Sequence, residues 1–301
     1  MKLSIVTINY NNAEGLQKTL VSISAQTYRD IEHIIVDAAS TDGSVAIIRE
    51  YAEKVDYPVS WISEKDKGIY AGMNKGIEIV LGRRVVNALN RSELVEDKNI
   101  GIQRATGDYI QILNSGDVLA APDVTERMVA SLPIGVSILY GNMLKSYDGK
   151  TILNKDTCGG AGATDSFLYF YKGTLNHDCA YIRRDLFDKY GLYNEEMKIC
   201  SDWEWYVKAI ALGVEKAVYT NIDVTIFDMN GVSESHGKNA GLIKKERREY
   251  LEKILPASVL KDYDDYAFPI EQYKRLRKHH LWGLVYLVER VLFKFEKWGI
   301  L

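Results

Sequence analysis

What this sequence lacks narrows it first. Nowhere in its 301 residues is there a run of eighteen or more uncharged apolar side chains, so no segment qualifies as a membrane-crossing helix. Cysteine is scarce. Cys158, Cys179 and Cys200 are odd in number, far apart and without the close pairing of zinc sites, which fits a reducing cytosol and a cytoplasmic protein. No leader segment is expected ahead of the first strand, which opens at Leu3. Neither sign of charge dominates: the formal net charge is -3, and nucleic acid is not expected as a partner. The turn after the first strand has no Gly-x-Gly-x-x-Gly, which a dinucleotide-binding dehydrogenase would carry there. What remains, with 47% hydrophobic side chains, is an enzyme-sized domain with one large core, or one core and an appendage.

The chain is organised around Gly107-Asp108-Tyr109-Ile110-Gln111-Ile112-Leu113-Asn114-Ser115-Gly116-Asp117. A buried strand over Tyr109 to Leu113 runs into a short polar turn that ends on a carboxylate. At the carboxyl end of a strand in an α/β sheet, this is the layout of a ligand crevice. Asn114 can hydrogen-bond a ribose or a phosphate, Ser115 and Gly116 admit a ligand close to the backbone, and Asp117 can bind a hard divalent cation. An ordinary strand exit reads the same way in isolation.

The flanking pattern repeats this layout. Leu3 to Ile8 is a β-branched run that ends in the cap-forming Asn9-Tyr10-Asn11-Asn12, and the next helix shows Leu16, Leu20 and Ile23 on one face. A second strand, Glu32 to Val36, ends on Asp37. A third, Val59 to Ser63, leads through Asp66 to a helix that buries Ile69, Met73, Ile77 and Val80. Acids at several strand ends of one sheet point to one crevice. Asn74-Lys75-Gly76-Ile77 is echoed by Asn99-Ile100-Gly101-Ile102, and the polar segment 82–98 between them reads as an insertion.

Further on, the pattern predicts a helix over 123–131 and a strand over 138–142. The glycine-rich stretch 147–166 reads as a mobile substrate loop or a plain surface excursion. Asn176 to Arg184 reads as a strand with a polar start, and Ala217 to Phe227 as an edge strand. Ser201-Asp202-Trp203-Glu204 opens a helix, in which Ser201 and Glu204 have the spacing of a capping box. A helix over 242–255 stops before Pro256. From Glu271 to Leu301 an apolar stripe (Leu281, Leu284, Val285, Val288, Leu292, Phe295, Trp298) is flanked by Lys274, Arg275, Arg277, Lys278, Lys294 and Lys297. Such a basic amphipathic helix suits the surface of an anionic membrane, and equally the protein's own core or a homodimer.

Together these residues resemble the family 2 glycosyltransferases of GT-A type, close to the bacterial polysaccharide-assembly members. The resemblance rests on Ser4 to Asn11, Gln26-Thr27-Tyr28, Ile34 to Asp37 with Ser40 to Ser44, Asp66 to Tyr70 with Met73 to Gly76, and Ala105 to Asp117. It covers roughly residues 3–250. It implies an α/β GT-A fold, a Rossmann-like, mostly parallel central sheet flanked by helices over 1–255; the residues beyond, 256–301, read by their own pattern as a C-terminal helical extension. It also implies an inverting transfer from a nucleotide sugar, UDP-linked, to a saccharide acceptor; with the C-terminal helix on the inner face of the membrane, a lipid-linked glycan becomes the natural acceptor. On this resemblance Thr7, Asn9, Tyr10, Asp37, Asp66, Asn74 and Asn114 line the nucleotide site. Asp117 holds Mg²⁺ or Mn²⁺, a shell that His236 of its polar loop could complete, and Asp202 is the general base that deprotonates the acceptor hydroxyl.

This sequence departs from the family pattern at two points. Asn114 and Gly116 stand where the two acids of a DxD-like motif would stand, leaving Asp117. The insertion leaves either Asn74 or Asn99 for the Asn-x-Gly-Ile role. His236 and His177 also read as an exposed loop residue and a structural histidine. Two other readings compete: a sugar-1-phosphate nucleotidyltransferase, whose glycine- and arginine-rich first turn is missing at Asn9 to Asn12, and a non-catalytic nucleotide-binding scaffold.

Overall fold

The β-branched opening run forms β1 (Leu3–Asn9), which is buried almost throughout, as befits a strand covered on both faces. On one side it pairs in parallel with β2 (Ile31–Asp37), which pairs in parallel with β3 (Val59–Ser63). The crossovers are α1 (Ala13–Ser24), α2 (Ser44–Lys54) and α3 (Ile69–Val80). On its other side β1 pairs in parallel with β4 (Tyr109–Ile112). The structure, a computed structural model, describes residues 1–84, 107–147, 151–229, 239–279 and 282–297. Most of the expected insertion, with Asn99 and His236, lies outside the described residues.

Beyond β4 the sheet becomes mixed. After β5 (Val118–Leu119) and α4 (Val124–Ala130) come β6 (Ile138–Ser146), β7 (Asn154–Asp156), α5 (Phe167–Lys172), β8 (Ala180–Arg183), α6 (Leu186–Tyr190), α7 (Ser201–Tyr206) and β9 (Ala217–Asp228). The strand order is β3-β2-β1-β4-β8-β6-β9-β5, with β7 on β6. The first half is packed by aliphatic residues such as Ile5, Leu16, Ile34 and Ile77. The second half is packed by wholly buried rings, Tyr140, Phe170, Tyr181, Phe187, Trp203, Trp205 and Tyr206. Helix α3 comes so close to β1 that a Cβ on Gly76 would sit 2.3 Å from Val6, so only glycine fits there.

Several expectations from sequence need correction. The stretch 147–166 is not one irregular loop, because β7 pairs antiparallel with β6 and a 3-10 turn forms over Ala163–Asp165. β9 is not an edge strand: it lies between β6 and β5. The polar start of the expected strand 176–184 is a 3-10 turn, His177–Cys179, and only Ala180–Arg183 is extended. The capping box is not formed either. Cys200 takes the N-cap position, and Ser201 Oγ accepts the N–H of Asn194 instead of capping its own helix.

The chain divides into two compact units, Met1–Arg247 and Arg248–Leu301, inside helix α8 (Ala240–Ile254) and ahead of the expected boundary at 255/256. The second unit contains α9 (Ala257–Lys278) and α10 (Trp282–Lys297). Arg248 ties its start to α9 through Asp264 at 2.7 Å. Leu284, Leu287, Val288, Val291 and Leu292 of α10 are exposed. None of the described helices is long and apolar enough to cross a membrane.

Candidate active site

The carboxyl ends of β1, β2 and β4 carry the polar turns. At the first, Asn9 Nδ2 donates to Asp37 Oδ1 at 2.8 Å. Asp37 Oδ2 accepts from the Ser40 N–H at 2.9 Å and the Ser63 hydroxyl at 2.6 Å. Asp37 is fully buried, so its carboxylate ties the end of β1 to the turn after β2 and the end of β3. Tyr10, 66% exposed, presents a ring in the turn after β1. Asp66, half-buried, accepts the Gly68 N–H at the start of α3. Thr7, expected to touch nucleotide, instead lies wholly inside the sheet, its hydroxyl 2.9 Å from His33 Nε2. Asn74 is also spent inside the protein, on Tyr193 and Glu195.

The turn after β4 is clamped by α1. Thr19 Oγ1 donates to the carbonyl of Asp117 at 2.7 Å and accepts the N–H of Gly116 at 3.0 Å. Asn12, the N-cap of α1, donates to the Ser115 carbonyl at 3.0 Å. Asp117 Oδ1 accepts the backbone N–H of Asp228 at 3.0 Å, which fastens the end of β9 to this turn. Gly116 has φ +109, and a Cβ there would lie 3.3 Å from Asp228 Oδ2. The carboxylate of Asp228 thus occupies the space a side chain at 116 would need. Burial, then the charge of Asp178, lifts the Asp117 carboxyl well above the ordinary carboxylate range.

No group of three or more His, Cys, Asp or Glu side chains placed to hold a metal occurs among the described residues. The donors at this turn are instead two carboxylates, Asp117 and Asp228. Hard oxygen ligands of this number fit Mg²⁺ or Mn²⁺ completed by phosphate oxygens, and a cation there would favour the ionised form of Asp117.

Asp202 stands in the first turn of α7, its side chain 13% exposed. Oδ2 lies 3.2 Å from His177 Nδ1, and Oδ1 accepts from the Tyr70 hydroxyl at 3.0 Å. That hydroxyl also lies 2.5 Å from the carbonyl of Ile199, so one proton faces two acceptors. His177 Nε2 lies 3.1 Å from Asn114 Nδ2. Asn114, His177, Asp202 and Tyr70 therefore form one chain from the turn after β4 to α3. Burial opposes the charge on Asp202, but the His177 hydrogen bond and charge, with Tyr70, hold it below the ordinary carboxylate range.

The segment before α7 is anchored by Glu246 of α8, whose carboxylate accepts the backbone N–H groups of Lys198, Ile199 and Cys200 at 2.7, 3.1 and 3.0 Å. Sequence reasoning had Tyr70 only as the end of the Asp66 to Tyr70 stretch, without a role, and missed Glu246 and Asp228 as parts of the site. The partners of all three lie tens of residues away, and no local pattern marks Glu246 or Asp228.

A parallel half-sheet with its ligand turns at the strand ends, joined to a mixed half that brings in a second carboxylate, is the GT-A class of glycosyltransferase architecture. Residues 4–88 match the profile described as Glycosyl transferase family 2. An uncharacterized glycosyltransferase of Mycobacterium tuberculosis is 29% identical over 251 residues, 82% of each chain. The PGL/p-HBAD biosynthesis glycosyltransferase of Mycobacterium bovis is 24% identical over 230 residues, 76% of this chain and 77% of that one. S. aureus TarS residues 1–349 superpose with a TM-score of 0.59 at 16% identity, covering 89% of this chain and 70% of that one. The mannosyltransferase PcManGT of Pyrobaculum calidifontis, solved with GDP-Man and Mn²⁺, gives 0.57 at 18% identity over 81% of this chain and 60% of its own. A longer TarS chain is spanned only to 36% of its length. The chain is thus similar to family 2 glycosyltransferases, with the profile match confined to residues 4–88.

Proposed function

We propose that this glycosyltransferase moves a sugar from a UDP-linked donor to a hydroxyl of a saccharide acceptor, inverting the anomeric carbon. The observation that carries the reading is Asp202, a largely buried carboxylate held at both oxygens and linked through His177 to the turn after β4. In this reading Asp202 accepts the proton of the acceptor hydroxyl while that oxygen forms the new bond. The bond from the anomeric carbon to the diphosphate breaks, and its electron pair leaves with the nucleoside diphosphate. A single displacement with one base inverts the configuration. Once Asp202 is protonated, the Tyr70 O–H can direct its hydrogen bond to the Ile199 carbonyl while its oxygen accepts one from the new Asp202 O–H, so the proton on Asp202 has a partner.

On the donor side, Tyr10 offers its exposed ring to the base. Asn9 and Asp37 hold the turn that presents it, and Asp66 stands ahead of α3, beyond the carboxyl end of β3. Asp117 and Asp228 are the residues that would hold Mg²⁺ or Mn²⁺. The chemistry supplied at these two carboxylates when the ion is bound would be neutralisation of charge on the departing diphosphate. The TarS structures solved with UDP and UDP-GlcNAc favour uridine, and the GDP-Man complex of PcManGT makes the base a point to test.

A lipid-linked glycan acceptor at a membrane surface is supported by the second unit. There the exposed apolar residues of α10 share a helix with Arg290, Lys294 and Lys297, and Arg275, Arg277 and Lys278 close α9.

The reading is tested by calorimetry with UDP- and GDP-sugars, with and without Mn²⁺, and by NMR of the product anomer. Expected are Mn²⁺-dependent UDP-sugar binding, weakened by Asp117→Ala, and a product of opposite anomeric configuration. A retained configuration, or Mn²⁺-dependent binding untouched by Asp117→Ala, sinks the assigned roles.

A further inference from the structure

His177 is bonded at both ring nitrogens, to Asp202 Oδ2 at 3.2 Å and to Asn114 Nδ2 at 3.1 Å, and its side chain is 17% exposed. An ionised carboxylate only accepts hydrogen bonds, so Nδ1 carries a proton whenever it bonds to the Asp202 carboxylate. In the neutral ring Nε2 is then an acceptor, which the Asn114 NH₂ group satisfies. In the cation Nε2–H needs an acceptor. Asn114 Oδ1 is buried and has no partner, and a half-turn of the amide brings it to Nε2. An amide has a donor and an acceptor on equal arms, so position 114 serves both protonation states. A carboxylate at 114 would serve only the cation.

We propose that Asn114 and His177 are a positioning pair for the base, keeping Nδ1–H of His177 on Asp202 whether or not His177 is charged. This rests on the reading of Asp202 as the base. It deepens that reading by explaining why an amide stands where the resemblance leads one to expect an acid: the residue at 114 is committed to His177. The charged groups acting on the imidazole are Asp202 of α7, Asp178 of its own turn and Asp117 of the turn after β4. Burial disfavours the cation, and these three carboxylates outweigh it and raise the ring above the ordinary histidine range. Loss of the Nε2 proton leaves Asp202 beside a neutral ring and makes it the stronger base. An acid at 114 would hold that proton on and delay this gain to higher pH.

The direct test is ¹⁵N NMR of the full chain labelled at histidine, recorded through a pH titration. Expected is a His177 whose Nδ1 stays protonated throughout while Nε2 alone titrates. In Asn114→Asp the Nε2 titration should move up by about one to three pH units, as for a new opposite charge at contact distance. Kinetically, Asn114→Asp should lower kcat near neutral pH by about tenfold while the donor KM stays within about twofold. His177→Asn, which keeps an N–H near the Nδ1 position, should retain more activity than His177→Ala. A neutral His177 carrying its proton on Nε2, or a titration unmoved by Asn114→Asp, overturns the pair. So does a rise in donor KM at unchanged kcat, which would put Asn114 on the nucleotide. The NMR result is independent of turnover, so it stands apart from the fate of Asp202: full activity in Asp202→Asn would sink the base assignment and leave the tautomer measurement intact.

Discussion

Asn74 and Tyr193, 119 residues apart, bond to each other twice: Asn74 Nδ2 donates to the Tyr193 carbonyl at 2.9 Å, and Asn74 Oδ1 accepts the Tyr193 N–H at 2.9 Å. This reciprocal pair docks the segment leading to α7 on α3, the helix that also carries Tyr70. Replacing Asn74 with Ala leaves two buried backbone groups without partners, at roughly 1–3 kcal/mol each. Chemical denaturation should show a loss of that order, while the affinity for donor nucleotide, read by calorimetry, changes less than about twofold. Intact stability with lost nucleotide affinity would return Asn74 to the donor site.

Asp202→Asn keeps the shape of the side chain and removes its capacity to take a proton. Transfer should fall by about 100-fold or more with donor binding nearly unchanged. Stopped-time assays of product, run beside binding isotherms of the same preparation, separate the two effects. Near-normal turnover would mean that another group is the base.

His33 makes stability depend on pH. Its ring is wholly buried between Tyr51 and Thr7, and burial depresses its pKa from 6.5 to about 3. The folded state therefore refuses a proton that the unfolded chain accepts below about pH 6.5. This contribution to stability is complete above that pH and is lost as the pH falls toward 3, by up to roughly 1.4 kcal/mol per unit. Urea unfolding measured from pH 7 to pH 4 should show the slope. His33→Gln should flatten it, and an unchanged slope would assign it to other groups.

The exposed apolar residues of α10 make a prediction about surfaces. The full chain should sediment with vesicles containing anionic lipid and less so with neutral ones or at high salt. A chain ending near residue 256 should stay in solution. Failure of the full chain to bind, together with a concentration-dependent dimer lost on truncation, would give the helix to a second copy.

Much of the first half of the fold was legible because its signals are local. β1, β2, β3 and α3 follow from β-branched runs and from helical spacing, each ending in cap-forming residues. The glycine of Asn74-Lys75-Gly76 marks a contact rather than a turn, since Val6 leaves no space for a side chain. Beyond β4 the reading loosened. A polar start to a strand and a 3-10 turn look alike in sequence, so His177 was placed on the wrong element. β9 read as an edge because its neighbour β5, only Val118–Leu119, is too short to leave a pattern.

The sequence by itself determined which residues could do chemistry and that acids would stand at strand ends, because side-chain period and turn preference are properties of neighbouring residues. Only the tertiary structure decided which of them meet. Thr7 went into the sheet and Asn74 to Tyr193, Asp228 came to Gly116, and His177 was set between Asn114 and Asp202. Those pairings are made by strands and helices far apart in the chain, and a buried polar group takes whichever partner the packed fold brings within reach.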